Sequence, residues 1–360
     1  MTKVVHVVVA GEIGGAERML CDLATRPDAS GADHVIALMT PNEDLLRLFE
    51  GAGLRVHDRG RVRENAAAFL WRSLGPLDTR WLEGILRSER ATVAHLHTFA
   101  SQMIGTRAAW RVNARVVRTE HSTRAYDDPS CWPFSRWSLR RTDACVAISA
   151  HVRAVAIAKA PWIAGKTRVI VNGVDTARFS PRAVAMPETF TFVLVGRLER
   201  RKGVDLAIEA LHHAPGARLE VVGDGDERGA LEALVRERGM TSRVRFHGRL
   251  ADPRSVIAAS HAALSSSRQE GLGLANLEAM AMARAVVAFP VGGVPEIVTD
   301  EKTGFISREN TVQSLAARMR DAMSDRSRTA SMGEAARAFV VERCSIEGMC
   351  RAYGDVYTPP

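Results

Sequence analysis

Lysine is scarce in this chain of 360 residues, with 5 against 44 arginines. Cysteine offers no pattern either: Cys21, Cys131, Cys145, Cys344 and Cys350 are odd in number and form no CxxC pair. That excludes a disulfide framework and a cysteine-built zinc site, and fits reduced thiols in a cytoplasmic protein. No apolar run approaches the roughly 20 residues a membrane-spanning helix needs. The stretch "VVHVVVAG" has the length of a signal-peptide core, but only Lys3 precedes it and no small-residue cleavage site follows, so it reads as a first strand. Internal repeats and low-complexity tracts are also missing, which sets aside solenoids and disordered linkers.

What is present is ordinary for a globular chain: 46% apolar and 25% charged residues. At roughly 100–200 residues per domain, the length suggests two domains. The net charge of +8 lies almost wholly in the first half. Residues 1–170 hold 24 basic and 17 acidic residues, leaving 25 and 24 for residues 171–360. A basic half attracts phosphates or anionic headgroups, so peripheral contact at the inner face of a membrane is one expectation. An Arg-rich solvated surface explains the same numbers. No nucleic-acid module is present, and no such partner is expected. In "PSCWPFSRWSLRR" (129–141), Trp132, Phe134 and Trp137 mix with Arg136, Arg140 and Arg141; this suits a membrane-interface helix or one packing its aromatics inward.

Short β-branched runs alternate with helical stretches, the pattern of parallel α/β structure. Strands are expected at 4–10, 34–39, 54–58, 92–97, 114–119 and 143–149, then at 190–196, 217–223, 243–248, 262–267 and 285–290. The series breaks at "VNGVDTARFSPRAVAMPETF", where Gly173, Pro181 and Pro187 interrupt any helix. Domains are therefore expected at 1–170 and 171–342. Three helices are expected from about 311 to 357, and the last, within 343–360, is too short to stand without docking on something. Each domain should carry an open parallel sheet of five or six strands.

Two segments carry chemistry. In "VGRLERRKGVDLAIEAL" (195–211) a strand ends at Gly196, a loop brings Arg197 and Lys202, and Gly203 opens a helix. A guanidinium fork, an ammonium and free helix N–H groups are what a diphosphate needs, and in a lysine-poor chain Lys202 is a selective choice. A solvated charge run capping a helix is the plainer account. In "RQEGLGLANLEAM" (268–280), Gly271 and Gly273 permit close backbone approach, and the helix expected from Leu274 favours nearby negative charge. Glu270 and Glu278 then serve as acceptors for sugar hydroxyls, Glu270 for a hexose and Glu278 for a ribose. Taken alone, Glu270 reads better as a helix cap and Glu278 as an ordinary surface residue.

"GRLERRKG" followed some seventy residues later by "EGLGLANLE" resembles the GT4 family of retaining glycosyltransferases, which have the GT-B fold. "GGAER" (14–18), "VNGVD" (171–175), "GGVPEIV" (292–298) and "TGF" (303–305) match in order. The resemblance implies two Rossmann-like, doubly wound α/β domains facing across a cleft, the first for the sugar acceptor and the second for the nucleotide sugar, with the last helix returning to the first. It implies catalytic roles for His121, in "RTEHSTRAY", and for Arg197, Lys202 and Glu270. Donor contacts fall on Gly15, Gly196, Arg197, Lys202, His247, Gly248, Leu250, Glu270, Gly271, Leu272, Gly273, Leu274 and Glu278. Gly14, Gly15 and His97 fall on the acceptor side. Leu272 replaces the phenylalanine of many relatives.

The implied reaction moves a hexose or N-acetylhexosamine from a nucleoside-diphosphate sugar, UDP-linked first and GDP-mannose behind, to a hydroxyl of a glycan, lipid-linked or small-molecule acceptor. No cofactor and no metal are expected. "DGD" (224–226) follows a strand where Asp and Gly are normal turn residues. "HLH" (95–97) puts two histidines on one strand face with no obvious third ligand. The runner-up is a nonhydrolysing UDP-sugar 2-epimerase on the same fold. An oxidoreductase lacks the acidic ribose ligand expected after "VVGDGDERG", and a noncatalytic carbohydrate-binding protein has no use for the Arg/Lys/Glu/Glu set.

Overall fold

The computed structural model describes residues 2–358 except 29, 41, 61–70 and 131; Cys131 thus lies outside the described residues. The chain forms two compact units, Met1–Gly173 with Ile346–Pro360, and Val174–Ser345. The expected boundaries at 170/171 and 342/343 lie three residues before each observed division.

The first unit holds seven parallel strands: β1 (Lys3–Val8), β2 (Asp33–Leu38), β3 (Arg55–Asp58), β4 (Val93–Leu96), β5 (Arg115–Glu120), β6 (Ala144–Ala147) and β7 (Thr167–Val169). Their order is β3-β2-β1-β4-β5-β6-β7. The second holds β8 (Phe190–Val195), β9 (Ala217–Val222), β10 (Val244–Gly248), β11 (Ala262–Ser265), β12 (Ala285–Ala288) and β13 (Gly304–Ile306), in the order β10-β9-β8-β11-β12-β13. Both sheets are doubly wound, and each reverses direction once, between β1 and β4 and between β8 and β11. The three-residue strands β7 and β13 were not expected; "TRV" and "GFI" are too short to show a period.

The strands are buried on both faces, as parallel sheets require; Val4, Val5 and Val7 of β1 have no exposed surface. On one face of the first sheet, Val5, Val7, Val35, Ala94 and Leu96 pack with Leu82, Ile85, Ile104 and Ala108 from the helices Pro76–Ser88 and Phe99–Val112. The opposite face is covered by the helix Gly15–Thr25 and by the terminal helix Ile346–Tyr357, whose Ile346, Met349, Tyr353 and Tyr357 join Val4, Val93, Val117 and Val146. The chain leaves the first unit near Gly173 and returns 172 residues later to cover that face.

Candidate functional site

In open α/β sheets ligands bind outside the carboxyl ends of the strands, at the point where strand order reverses. In the second unit that point lies between β8 and β11, and both motif loops start there. The loop after β8 turns once through Arg200–Lys202, with the Lys202 N–H donating to the Glu199 carbonyl at 2.9 Å. Gly203 then caps the helix Val204–His212 with a left-handed φ of 62°. A Cβ at Gly203 would stand 2.1 Å from the Ser266 carbonyl oxygen, so no larger residue fits.

The two loops are stitched together. The Arg268 N–H donates to the Arg201 carbonyl at 2.8 Å, and the Ser266 hydroxyl donates to the Gly203 carbonyl at 2.7 Å. Arg268 also makes a two-pronged ion pair with Asp205, at 2.7 and 2.6 Å, in the first turn of the helix Val204–His212. Burial opposes ionisation of Asp205, but the Arg268 fork and the N–H groups of the helix start outweigh it and hold its pKa below the ordinary value. The result of this framing is one short contact: Lys202 Nζ lies 2.5 Å from Glu270 Oε2, and the Ser267 hydroxyl reaches the same oxygen at 3.3 Å. Residues 68 positions apart form a charge pair at the mouth of the sheet.

Around this pair, Arg197 is exposed and lies 3.6 Å from Glu199. Gly273, in the left-handed region, caps the helix Leu274–Ala281. Glu278 stands one turn into that helix and is part-buried, rather than at its very start. The Leu272 side chain is 1% exposed and belongs to the core, so only its backbone is available to a ligand. Gly196 follows β8, and Gly248 ends β10, with Leu250 just beyond it. The His247 ring is tied to Glu220 of β9 at 2.5 Å. In the "DGD" turn, Asp224 accepts from the Gly225 N–H at 2.9 Å and pairs with Arg228 at 3.0 Å. Sequence reading gave no individual role to Arg268, Ser266 or Gly292. Arg268 and Ser266 adjoin Glu270 but look like ordinary loop polarity until the partner loop is in place.

In the first unit, Gly14 is the N-cap of Gly15–Thr25, and Glu17 folds back to accept the Gly14 N–H at 2.8 Å. This helix start therefore carries an anion of its own. Gly14 and Gly15 have no left-handed φ, and a Cβ at Gly14 would stand 3.0 Å from the Glu17 carboxylate that folds back on it. His97, just past β4, and His121, just past β5, meet at 3.3 Å. The structure adds a neighbour that sequence reading did not supply. His6 of β1 lies 3.2 Å from His97 and stands in register with His95. His6, His95 and His97 are the three side chains among the described residues whose spacing would suit a metal ion, which corrects the expectation that "HLH" lacks a third ligand. Both His95 nitrogens are already engaged, by Tyr357 at 2.9 Å and Thr119 at 2.8 Å. Burial pushes the pKa of His6, His95 and His97 well below the ordinary value and that of His121 down to about 4.

A two-unit, all-parallel architecture with site loops at the β8/β11 reversal is the GT-B arrangement. The description "Glycosyltransferase Family 4" matches residues 13–178, and "Glycosyl transferases group 1" matches residues 177–339. The chain is 31% identical over 294 residues to glycogen synthase of Mycobacterium tuberculosis, covering 76% of this chain and 70% of that one. It is 28% identical over 313 residues to alpha-maltose-1-phosphate synthase of Mycolicibacterium smegmatis, covering 77% of this chain and 81% of the other. HepE of Anabaena, solved with UDP and glucose, superposes with a TM-score of 0.87 at 21% identity, covering 99% of both chains. The chain belongs to the GT4 family of glycosyltransferases and is a transferase enzyme.

Proposed function

We propose that this enzyme transfers a hexose or N-acetylhexosamine from a nucleoside-diphosphate sugar to a hydroxyl, with retention and without a metal ion. The observation that carries this reading is the Lys202–Glu270 pair, held where both motif loops leave the sheet. Lys202 is cationic and Glu270 accepts hydrogen bonds, so together they match a phosphate and a neighbouring sugar hydroxyl. A donor diphosphate competes with Glu270 for Lys202, and Glu270 is then released to accept from the sugar. Arg197 and the helix starts after Gly203 and Gly273 add fixed positive charge where negative charge grows on the leaving group.

A nucleoside diphosphate is already a good leaving group, so no general acid from the enzyme is required. The bond from the anomeric carbon to the diphosphate oxygen breaks, that oxygen takes the proton of the incoming hydroxyl, and the new bond forms on the same face. His121 is assigned to a sugar hydroxyl, Glu278 to the ribose, and the backbone from His247 to Leu250 to the base. HepE was solved with UDP and glucose, which supports UDP as the first donor to test. Mannosyltransferase relatives in Mycobacterium tuberculosis named for GDP-mannose keep GDP in the panel.

Thermal shifts with UDP, GDP and ADP identify the base, because a ligand of the folded state raises its melting temperature. Lys202→Ala should lower turnover about a hundredfold or more with an unchanged fold. Near-normal turnover would remove Lys202 from its role. Loss of activity in chelator, restored by magnesium or manganese, would refute the metal-free reading. A new epimer formed from donor alone would favour the epimerase.

Within the aromatic segment, Trp132 and Phe134 are part-buried against Tyr126 and Phe99, so the surface that supports peripheral membrane contact is the one around the exposed Trp110 and Trp162. Trp110 is 72% exposed, and Arg141 stacks between it and Trp137. Arg136 and Arg140 lie over Trp162. No described helix is long and apolar enough to cross a membrane. Sedimentation with anionic vesicles, reduced in Trp110→Ala, tests this contact.

A further inference from the structure

The buried histidines form a line with a direction. Asp28 Oδ2 lies 3.3 Å from His34 Nε2. His34 Nδ1 lies 2.8 Å from His6 Nε2, His6 Nδ1 lies 3.2 Å from His97 Nε2, and His97 Nδ1 lies 3.3 Å from His121 Nε2. Each of the first three rings thus spends one nitrogen on each neighbour. A neutral imidazole has one N–H and one lone pair, so each contact needs one proton and no ring can supply two. The direction of one bond therefore settles all of them.

Asp28 provides that direction. Its side chain has no exposed surface. Oδ1 accepts from the Ser30 N–H and hydroxyl at 2.8 Å each and from the Ala32 N–H at 3.2 Å. Oδ2 and His34 Nε2 are both buried and have no hydrogen-bond partner of standard geometry among the described residues, except that they face each other. An ionised carboxylate can only accept. His34 must then carry its proton on Nε2, leaving Nδ1 to accept from His6 Nε2–H. The same pattern passes from His6 to His97 and from His97 to His121.

We propose that Asp28 sets the tautomer of His121 through His34, His6 and His97, keeping the proton on Nε2 and leaving Nδ1 able only to accept. Asp28 is a positioning residue in this scheme. The line crosses one face of the first sheet, from the start of β2 to the loop beyond β5. It rests on side-chain geometry alone. Its consequence for transfer rests on the proposed role of His121: an accepting Nδ1 selects a sugar hydroxyl as its partner and rejects a carbonyl or ether oxygen.

Asp28→Asn tests it with one atom changed. Asn Oδ1 remains with the three donors of Ser30 and Ala32, so its NH2 faces His34 and donates. Every ring then reverses, and His121 carries its proton on Nδ1. Proton–nitrogen correlation spectra of histidine-labelled protein read each tautomer directly, with the His121 signals assigned by their loss in His121→Gln. The expected result is Nε2–H in the native protein and Nδ1–H in Asp28→Asn, with kcat/KM for the donor lowered about tenfold, the equivalent of one lost hydrogen bond. His34→Phe, which severs the line and leaves Asp28 intact, should give both tautomers at His121. Melting curves confirm that each variant is folded.

The same tautomer in native and Asp28→Asn protein overturns the proposal, as does Nδ1–H in the native protein. A stoichiometric metal ion lost on His6→Phe also overturns it, because the ion would occupy the lone pairs the line needs. Reversed tautomers with unchanged donor kinetics uphold the line and sink the role of His121.

Discussion

Gly292 has a φ of 57°, and a Cβ there would stand 1.6 Å from the Glu270 carbonyl oxygen. This glycine lets the "GGVPEIV" turn lie against the backbone that carries Glu270. Gly292→Ala must both occupy the left-handed region and push Glu270 aside, so it is expected to destabilise the protein by ~2 kcal/mol or more. Donor affinity should fall further than stability explains, which calorimetry with the nucleoside diphosphate measures. Arg268 belongs to the same scale. Arg268→Ala leaves Asp205 without its fork and loosens the join between the two loops. The expected outcome is a raised KM for the donor with a smaller change in melting temperature, read from kinetics and thermal denaturation. Glu270, Lys202 and Gly203 were legible in the sequence because glycine turns and charges at helix starts have local signatures. Gly292 was visible as part of a motif, but its contact with Glu270 joins two separate loops and has no local sign.

At the scale of elements, β1, β2 and β4 each place a histidine on the face that meets the terminal helix. Burial lowers the pKa of His6, His95 and His97 strongly, and that of His34 less, because Asp28 opposes it. The sign follows directly. The unfolded chain takes up protons as pH falls below about 6.5, whereas the fold refuses them until far lower, near 4 for His121. Stability is therefore complete above about pH 6.5 and drains away below it, by about 1.4 kcal/mol per pH unit for each such histidine. Denaturant melts between pH 7.5 and 5 should show this slope, and His6→Phe should flatten it. A pH-independent midpoint over that range would contradict the burial. Strand positions were largely readable from β-branched runs, but the histidines were not, since "VVHVVV" and "VAHLH" look alike whether the ring meets solvent, metal or another ring.

For the whole molecule, the terminal helix is the element that makes the first unit depend on the end of the chain. It buries Ile346, Met349, Cys350, Tyr353, Val356 and Tyr357 and supplies the Tyr357 and Tyr353 hydroxyls to His95 and Thr119. At ~1.5 kcal/mol or more for each large apolar side chain, its loss approaches the total stability of a typical domain. A protein truncated after Ser345 is expected to lose amide protection in β1 and β4 while the second unit keeps its own. Hydrogen exchange distinguishes this from global unfolding.

By itself the sequence determined the class: alternating buried strands and helices dictate parallel sheets, and the ordered glycine, Arg/Lys and Glu motifs mark the loops of the candidate site. These are local signals, because a strand's period, a helix cap and a turn depend on neighbours a few residues away. Only the tertiary structure decided that Lys202 meets Glu270, that Asp205 holds Arg268, and that four histidines, on β1 and β2 and just past β4 and β5, join Asp28 in one line. Such contacts are set by strand order and register, and those emerge only when each sheet is covered on its buried apolar faces.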